Sequence, residues 1–110
     1  MAIGDIAKIK MSQGALSATV TAKVTASSGY QYIVKEIWLV NSGTTDRIVS
    51  LYAHGSATAN LLATIKVLAS DCVILSDCAI VLDAAQVLYM KQDTGTDVTA
   101  TIYGYTEATA

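Results

Sequence analysis

Few residues in this chain could carry out chemistry. His54 is the only imidazole, so a nucleophile–base pair would have to combine it with a Ser or a Cys. It lies at the end of a predicted strand beside Gly55, and neither a Gly-x-Ser-x-Gly motif nor a local set of Ser, His and Asp accompanies it. We interpret His54 as a solvated loop residue and predict that the protein is not an enzyme.

The carboxylates stand at the ends of predicted strands, where a short Asp side chain accepts hydrogen bonds from nearby backbone N–H groups. The segment from Asp93 to Asp97 holds two Asp four residues apart, too few oxygens for a calcium loop. Distant carboxylates acting as a glycoside hydrolase pair stay open from spacing alone, although nothing favours them. We predict turn residues at the following positions: Asp46, Asp71, Asp77, Asp83, Asp93 and Asp97.

The two cysteines do not form a metal motif. Cys72 and Cys78 are not spaced as Cys-x-x-Cys, and a single His cannot complete a zinc quartet with them. We interpret both as reduced, buried, small apolar residues rather than as a disulfide. No metal and no cofactor is expected.

Composition limits the partners. Apolar residues make up 53% of the chain and charged residues only 15%, with a formal net charge of −2. The basic residues are scattered singly apart from Lys8 and Lys10, which argues against a nucleic-acid partner. No apolar run approaches the ~18 residues of a membrane span, and no basic segment followed by an apolar run resembles a secretory signal. A surface so poor in charge is expected to be covered partly by copies of itself.

Hydrophobic periodicity places these residues on strands. Period-two runs separated by turn residues predict an all-β fold, an antiparallel sandwich of about eight strands, with residues 17–110 as one domain. The tightest hairpins are predicted at 32–54 and 86–107. The runs cover 17–26, 32–41, 47–54, 61–68, 70–77, 79–83, 86–92 and 98–107.

The run "KEIWLVNSG" (35–43) has two apolar faces. Ile37 and Leu39 share one face, which a second sheet can cover, while Trp38 and Val40 share the other. Tyr and Trp suit half-wetted contacts and are enriched in protein interfaces. Because charged and amide groups are scarce near Trp38, we favour an interface there over sugar stacking.

The last run contains a glycine. Gly104 stands between Tyr103 and Tyr105, which share a face, and a glycine inside a strand marks a bulge or a close backbone approach.

Residues 1–16 are predicted to form an extended N-terminal arm. Ile3, Ile6 and Ile9 recur at a spacing of three, so the arm is expected to lie on a neighbouring subunit and to become ordered there. A frayed end is the alternative.

The order of segments resembles a family. The segments that carry the resemblance are, in order, Ile33 to Asn41, a small-residue turn, Val49 to Tyr52, Leu82 to Tyr89 and Gly104 to Glu107. In these segments the chain resembles small, jelly-roll-like β-sandwich structural proteins of tailed bacteriophage virions, of the decoration (cement) type. Ala85 stands where that pattern often has Gly, and "SSGYQ" where it often has a Pro-Ala-Gly-style turn. The resemblance implies a non-enzymatic virion component, assembled in the bacterial host cytoplasm.

We therefore expect a capsid decoration protein that clamps shell subunits as a symmetric oligomer, which the resemblance implies is a trimer. Its partners would be its own copies and other virion proteins, above all the major capsid protein, with no nucleic acid and no membrane. The alternative is a tail, collar or fibre module that binds a host-surface glycan or another tail protein. The predicted interface residues are Trp38, Val40, Tyr52, Tyr103, Tyr105, Ile3, Ile6 and Ile9.

Overall fold

The computed structural model describes residues 3–109. The first two residues of the predicted arm, and the last residue of the predicted sandwich domain, lie outside this range. A 3-10 helix at Thr58–Asn60 is the one short helical turn among the described residues. The strands are β1 (Ile6–Ala15), β2 (Thr21–Thr25), β3 (Tyr30–Asn41), β4 (Arg47–Ala53), β5 (Leu61–Val67), β6 (Asp71–Leu75), β7 (Ile80–Leu82), β8 (Val87–Gln92) and β9 (Val98–Ala108).

The strands form two antiparallel sheets. The first sheet has the order β1-β9-β3-β6, with β7 also paired to β3, and the second has the order β2-β8-β4-β5. Because β6 pairs with residues 37–41 of β3 and β7 with residues 32–34, these two short strands occupy one interrupted edge position. With that position counted once, eight strands follow the order of a jelly roll. The predicted all-β antiparallel sandwich is confirmed.

The core lies between the sheets and follows the alternation of the strands. Ile37 and Leu39 of β3 are fully buried, as predicted, and they belong to a cluster with Leu51 of β4 and Met90 of β8. In β9 every second side chain from Val98 to Ile102 is buried. One face of each sheet is therefore shielded from water. Among residues 3–109, no helix is long and apolar enough to cross a membrane.

Both predicted hairpins are wrong. β3 and β4 flank the 42–46 loop but belong to different sheets, and so do β8 and β9, which flank the 93–97 loop. Among the described strands, β4 and β5 are the consecutive pair that hydrogen-bond to each other. Turn residues show that the chain reverses, but they do not show which sheet the returning strand joins.

The predicted N-terminal arm is corrected over its described part. Residues 6–15 form β1, which pairs with β9 from Ile6 to Ala15. A register shift between Lys10 and Ser12 leaves Met11 as an extra residue, which breaks the period-two signal. On a strand, residues three apart point to opposite faces, so Ile6 and Ile9 do not share one.

Candidate binding surfaces of the first sheet

The outer face of the first sheet carries apolar side chains that its own chain leaves partly open. Trp38 pairs across the sheet with Ile74, and Val40 pairs with Cys72. Directly paired residues lie on the same face with their Cβ atoms about 5 Å apart. Trp38, Val40 and Ile74 are 39%, 43% and 45% exposed, so they form a contiguous patch, here called the Trp38 face. A second copy of the chain, or another protein, is what such a face can accept.

Polar contacts hold the indole in place on this face. The Nε1–H of Trp38 donates to the Glu36 carboxylate, two residues earlier on the same side of β3. The Trp side chain therefore has its one donor satisfied while its ring stays in contact with solvent.

A shallow groove of about 570 Å³ adjoins the Trp38 face. It is lined by two lysines of β1 and by Tyr103 and Tyr105 of the adjacent strand β9, because Lys8 pairs with Tyr105 and Lys10 with Tyr103. Lys35 reaches the groove from a bulge in β3, where the register shifts between Val34 and Glu36. We refer to this site as the lysine groove.

Gly104 lies where the backbone of β3 approaches β9 closely, one of the two features predicted for it from the sequence. A Cβ at this position would overlap the carbonyl oxygen of Ile33 and would lie 2.8 Å from the Cε of Met11. A side chain cannot be placed there without moving the backbone of β3. The register shift beside it turns Lys35 toward the groove.

The structure brings some of the predicted interface residues together and separates others. Trp38, Val40 and Tyr103 lie on the outer face of the first sheet, and Tyr105 is next to Tyr103 in the lysine groove. Tyr52 lies on the second sheet instead, paired with Tyr89.

The three isoleucines of the predicted arm are all exposed. Ile3 lies in the turn before β1 with 76% of its surface open, and Ile6 follows at the start of the strand. Ile9 is the least exposed of the three and takes part in lining the lysine groove. They do not form one apolar stripe.

Two members of these surfaces were missed from the sequence. Ile74 belongs to the Trp38 face because β6 pairs with β3, and Lys35 joins Lys8 and Lys10 because β9 lies between β1 and β3. Alternation gave the faces of the residues in regular stretches of strand, but not at the bulges of β1 and β3. The missing information was which strands are neighbours.

At the end of the sandwich where the 42–46 and 93–97 loops lie, an ion pair joins β4 to the 93–97 loop. Arg47, at the start of β4, donates through Nε and Nη2 to the two carboxylate oxygens of Asp97, each at 3.2 Å. The fully buried Gln92 also donates to Asp97 and accepts from the backbone N–H of Val98. The Arg47 hydrogen bond is the main cause that lowers the pKa of the Asp97 carboxyl below its ordinary value. These contacts fasten the 93–97 loop to β4.

Asn41 fastens the other loop at this end. Its side chain is buried, donates to the carbonyls of Thr45 and Val67 at 2.8 and 3.2 Å, and accepts from the N–H of Gly43 at 2.9 Å. A Cβ at Gly43 would overlap the Asp97 carboxylate, so the two loops pack directly against each other.

Other candidate residues act in loops. His54 is exposed, and its Nε2 lies 2.8 Å from the carbonyl of Val81, so it links the end of β4 to the other sheet. The predicted turn role is confirmed for Asp71 and Asp93, whose carboxylates accept the backbone N–H of the next residue. The Asp46 carboxylate instead accepts the N–H of Ala69, from the loop after β5. Among residues 3–109 no cluster of three His, Cys, Asp or Glu side chains is placed to hold a metal ion.

The cysteines differ from each other. Both are free thiols, but Cys72 is exposed on the outer face of β6, so its predicted burial is wrong. Cys78 is partly buried, and burial raises the pKa of its thiol. The exposure of Cys72 follows from its place opposite Val40 on the Trp38 face.

Comparison with known proteins gives the fold a context. No protein-family model matches the sequence, and no curated protein matches it. The structure is similar to a chain in the acid-stable capsid of the Helicobacter pylori bacteriophage KHP30, with a TM-score of 0.60 and 16% identity over 99% of this chain and 90% of that one. It is also similar to a chain of the Bacillus endospore appendages, which are disulfide-linked pili, with a TM-score of 0.59 and 16% identity over 100% and 96%. At such identity the likeness shows a shared fold.

Proposed function

We propose that this protein is a structural component of a tailed bacteriophage virion, of the capsid decoration type, and that it works as a symmetric oligomer. Its fold is shared with a chain of a phage capsid, and the order of its sequence motifs resembles decoration proteins. The fold alone leaves several roles open, since a sandwich of this kind hosts many functions. The chemistry of its surfaces has to decide between them.

The Trp38 face is the observation that carries the proposal. Three large apolar side chains on neighbouring strands stay about two-fifths exposed in the separate chain. Interface cores are enriched in Trp and Tyr and depleted of charge, as this face is. A second copy of the chain covers it in the proposed assembly. Many weak contacts repeated around a shell would then add up to strong binding through avidity.

The oligomeric part is tested with paired lysine substitutions. We expect size-exclusion chromatography with light scattering to give a trimer for the wild type and a monomer for Val40→Lys combined with Ile74→Lys. Ile48→Lys is the matched control, because Ile48 is 47% exposed on the second sheet. A wild-type protein that stays monomeric at every concentration would contradict the oligomer.

The virion role is tested on particles. Cryo-electron microscopy of intact particles should show copies on the outside of the head, seated at shell subunits. Particles that lack the protein should release their DNA at a lower temperature. Copies found only on the tail or on fibres, together with equal stability of both kinds of particle, would refute the decoration role.

A further inference from the structure

The lysine groove concentrates positive charge on an acidic chain. It holds three of the seven basic residues and one of the nine acidic ones, so it has a formal charge of +2 while the whole chain has −2. The remaining basic side chains are spread over other surfaces. A local charge of this sign attracts carboxylates and other anions.

No lysine of the groove forms an ion pair with a carboxylate among residues 3–109. Across residues 3–109 the ion pairs join Arg47 to Asp97 and Lys66 to Asp46, and neither involves the groove. Lys10 donates to the neutral amide oxygen of Gln13, 3.0 Å away. The one carboxylate of the groove, on Glu36, accepts the indole N–H of Trp38.

The spacing of the groove matches an extended peptide. Lys8 and Lys10 are two residues apart on β1, which separates them by about 7 Å along the strand, and Tyr103 and Tyr105 repeat that spacing on β9. In an extended peptide that lies along the groove, alternate residues have the same repeat of about 7 Å. Two carboxylates on alternate residues can therefore face both lysines together.

We propose that the lysine groove binds an extended acidic segment of a partner protein, with carboxylates on alternate residues paired to Lys8 and Lys10. Lys35 provides a third cation from the opposite wall, and the rings of Tyr103 and Tyr105 provide the apolar contact. An acidic ligand is favoured over a neutral sugar because the groove carries three cations and one carboxylate, so an anion gains a charge attraction that a neutral ligand lacks. The groove adjoins the Trp38 face but contains none of its three residues, and peptide binding is measured separately from the oligomeric state and from the virion role.

The test measures fluorescence anisotropy of a labelled peptide of alternating Thr and Asp, with the same peptide carrying Asn as control. We expect the Asp peptide to bind at low ionic strength and its affinity to fall as salt is added. The Asn peptide should not bind. An exposed ion pair changes a binding constant by roughly 1.5- to 5-fold, so Lys8→Gln combined with Lys10→Gln should weaken binding by about 2- to 25-fold. Lys35→Gln alone should weaken it by up to about fivefold.

The control variant is Lys66→Gln combined with Lys91→Gln, which removes the same charge from the second sheet. It should change the affinity by less than about twofold, since Lys66 and Lys91 lie on the other sheet and do not line the groove. Circular dichroism checks that each variant folds. Equal losses in both double variants would overturn the proposal, and so would absence of Asp-peptide binding. Tighter binding of a trigalacturonate than of the Asp peptide would replace it with an acidic-glycan site.

Discussion

Single residues fasten the loops of this sandwich, and Ala85 does so in an unfavourable conformation. Its φ is +69°, in the left-handed region that favours glycine, within a turn closed by the N–H of Gln86 donating to the carbonyl of Asp83. The turn has the positive φ at its third position that type II turns require. The glycine that the resembled family often has here would relieve this strain.

We predict that Ala85→Gly stabilises the protein. The left-handed conformation costs an L-residue about 1–2 kcal/mol, and the greater freedom of glycine in the unfolded chain offsets roughly 0.4–1 kcal/mol of that. Chemical denaturation should show a gain of about 0.5–1 kcal/mol in the free energy of unfolding. Ala84→Gly, in the same turn but without a positive φ, should lose stability instead. Equal effects of both substitutions would contradict the strain at Ala85.

Asp97 should make stability depend on acid. Its pKa is lowered in the folded protein from the ordinary 3.8, mainly by the Arg47 hydrogen bond, so the ionised carboxylate stabilises the fold above that value. This contribution is lost as the pH falls below 3.8 toward the folded-state pKa. The difference in thermal midpoint between the wild type and Asp97→Asn should be constant above about pH 5 and shrink below pH 4. Arg47→Gln should remove most of that acid dependence, and an unchanged dependence in it would exclude Arg47 as the cause.

Residue roles in the loops were readable from the sequence where they depend on local geometry. Asp71 and Asp93 accept the N–H of the next residue, which a short carboxylate at a strand end reaches in almost any fold. Asp46 instead accepts the N–H of Ala69, which only the tertiary structure brings near it. The Arg47–Asp97 pair was not readable, because its partners are fifty residues apart and meet only where two inter-sheet loops pack together.

At the scale of strands, bulges are where the alternation of buried and exposed residues failed to predict the structure. Met11 and Lys35 are extra residues in β1 and β3, on either side of β9, and β9 itself alternates without interruption. β9 was therefore predicted well, while β1 was taken for an arm. Bulges re-aim side chains, and here one of them directs Lys35 into the lysine groove.

Gly104→Ala should disrupt the first sheet. Its Cβ would overlap the backbone of β3, which cannot move aside as a flexible side chain can. We expect a loss of about 3 kcal/mol or more in the free energy of unfolding, at or beyond the upper end of usual overpacking costs. Gly14→Ala on β1 is the matched control, because a Cβ there meets nothing within 4 Å. Similarly small losses of unfolding free energy for both variants would show that the backbone of β3 can move aside at the bulge at little cost.

At the scale of the whole molecule, the two faces of β3 should respond differently to truncation. Leu39 is fully buried, so Leu39→Ala should cost about 2–5 kcal/mol at any protein concentration. Trp38 is 39% exposed and mainly loses a cross-strand contact with Ile74, so Trp38→Ala should cost about 1 kcal/mol in the separate chain. Thermal midpoints measured over a range of concentrations separate the effects. A Trp38→Ala loss that grows with concentration supports an interface, because association stabilises by mass action.

A loss for Trp38→Ala that is as large as for Leu39→Ala, and independent of concentration, would contradict the exposed position of the indole. If Trp38→Ala has the same thermal midpoint as the wild type at every protein concentration, the proposed oligomer is contradicted instead.

The sequence by itself determined the class of the fold, most of the strands and the faces of the residues in their regular stretches. Alternation is a property of the extended backbone, so Ile37 and Leu39 had to oppose Trp38 and Val40 wherever β3 was placed.

Only the tertiary structure decided which strands are neighbours. Strands far apart in sequence pair through backbone hydrogen bonds that every residue can make, so the amino-acid types carry little information about partners. Both predicted hairpins failed for that reason, since their strands cross between sheets. The same pairing of distant strands placed Ile74 beside Trp38 and gathered Lys8, Lys10 and Lys35 around one groove.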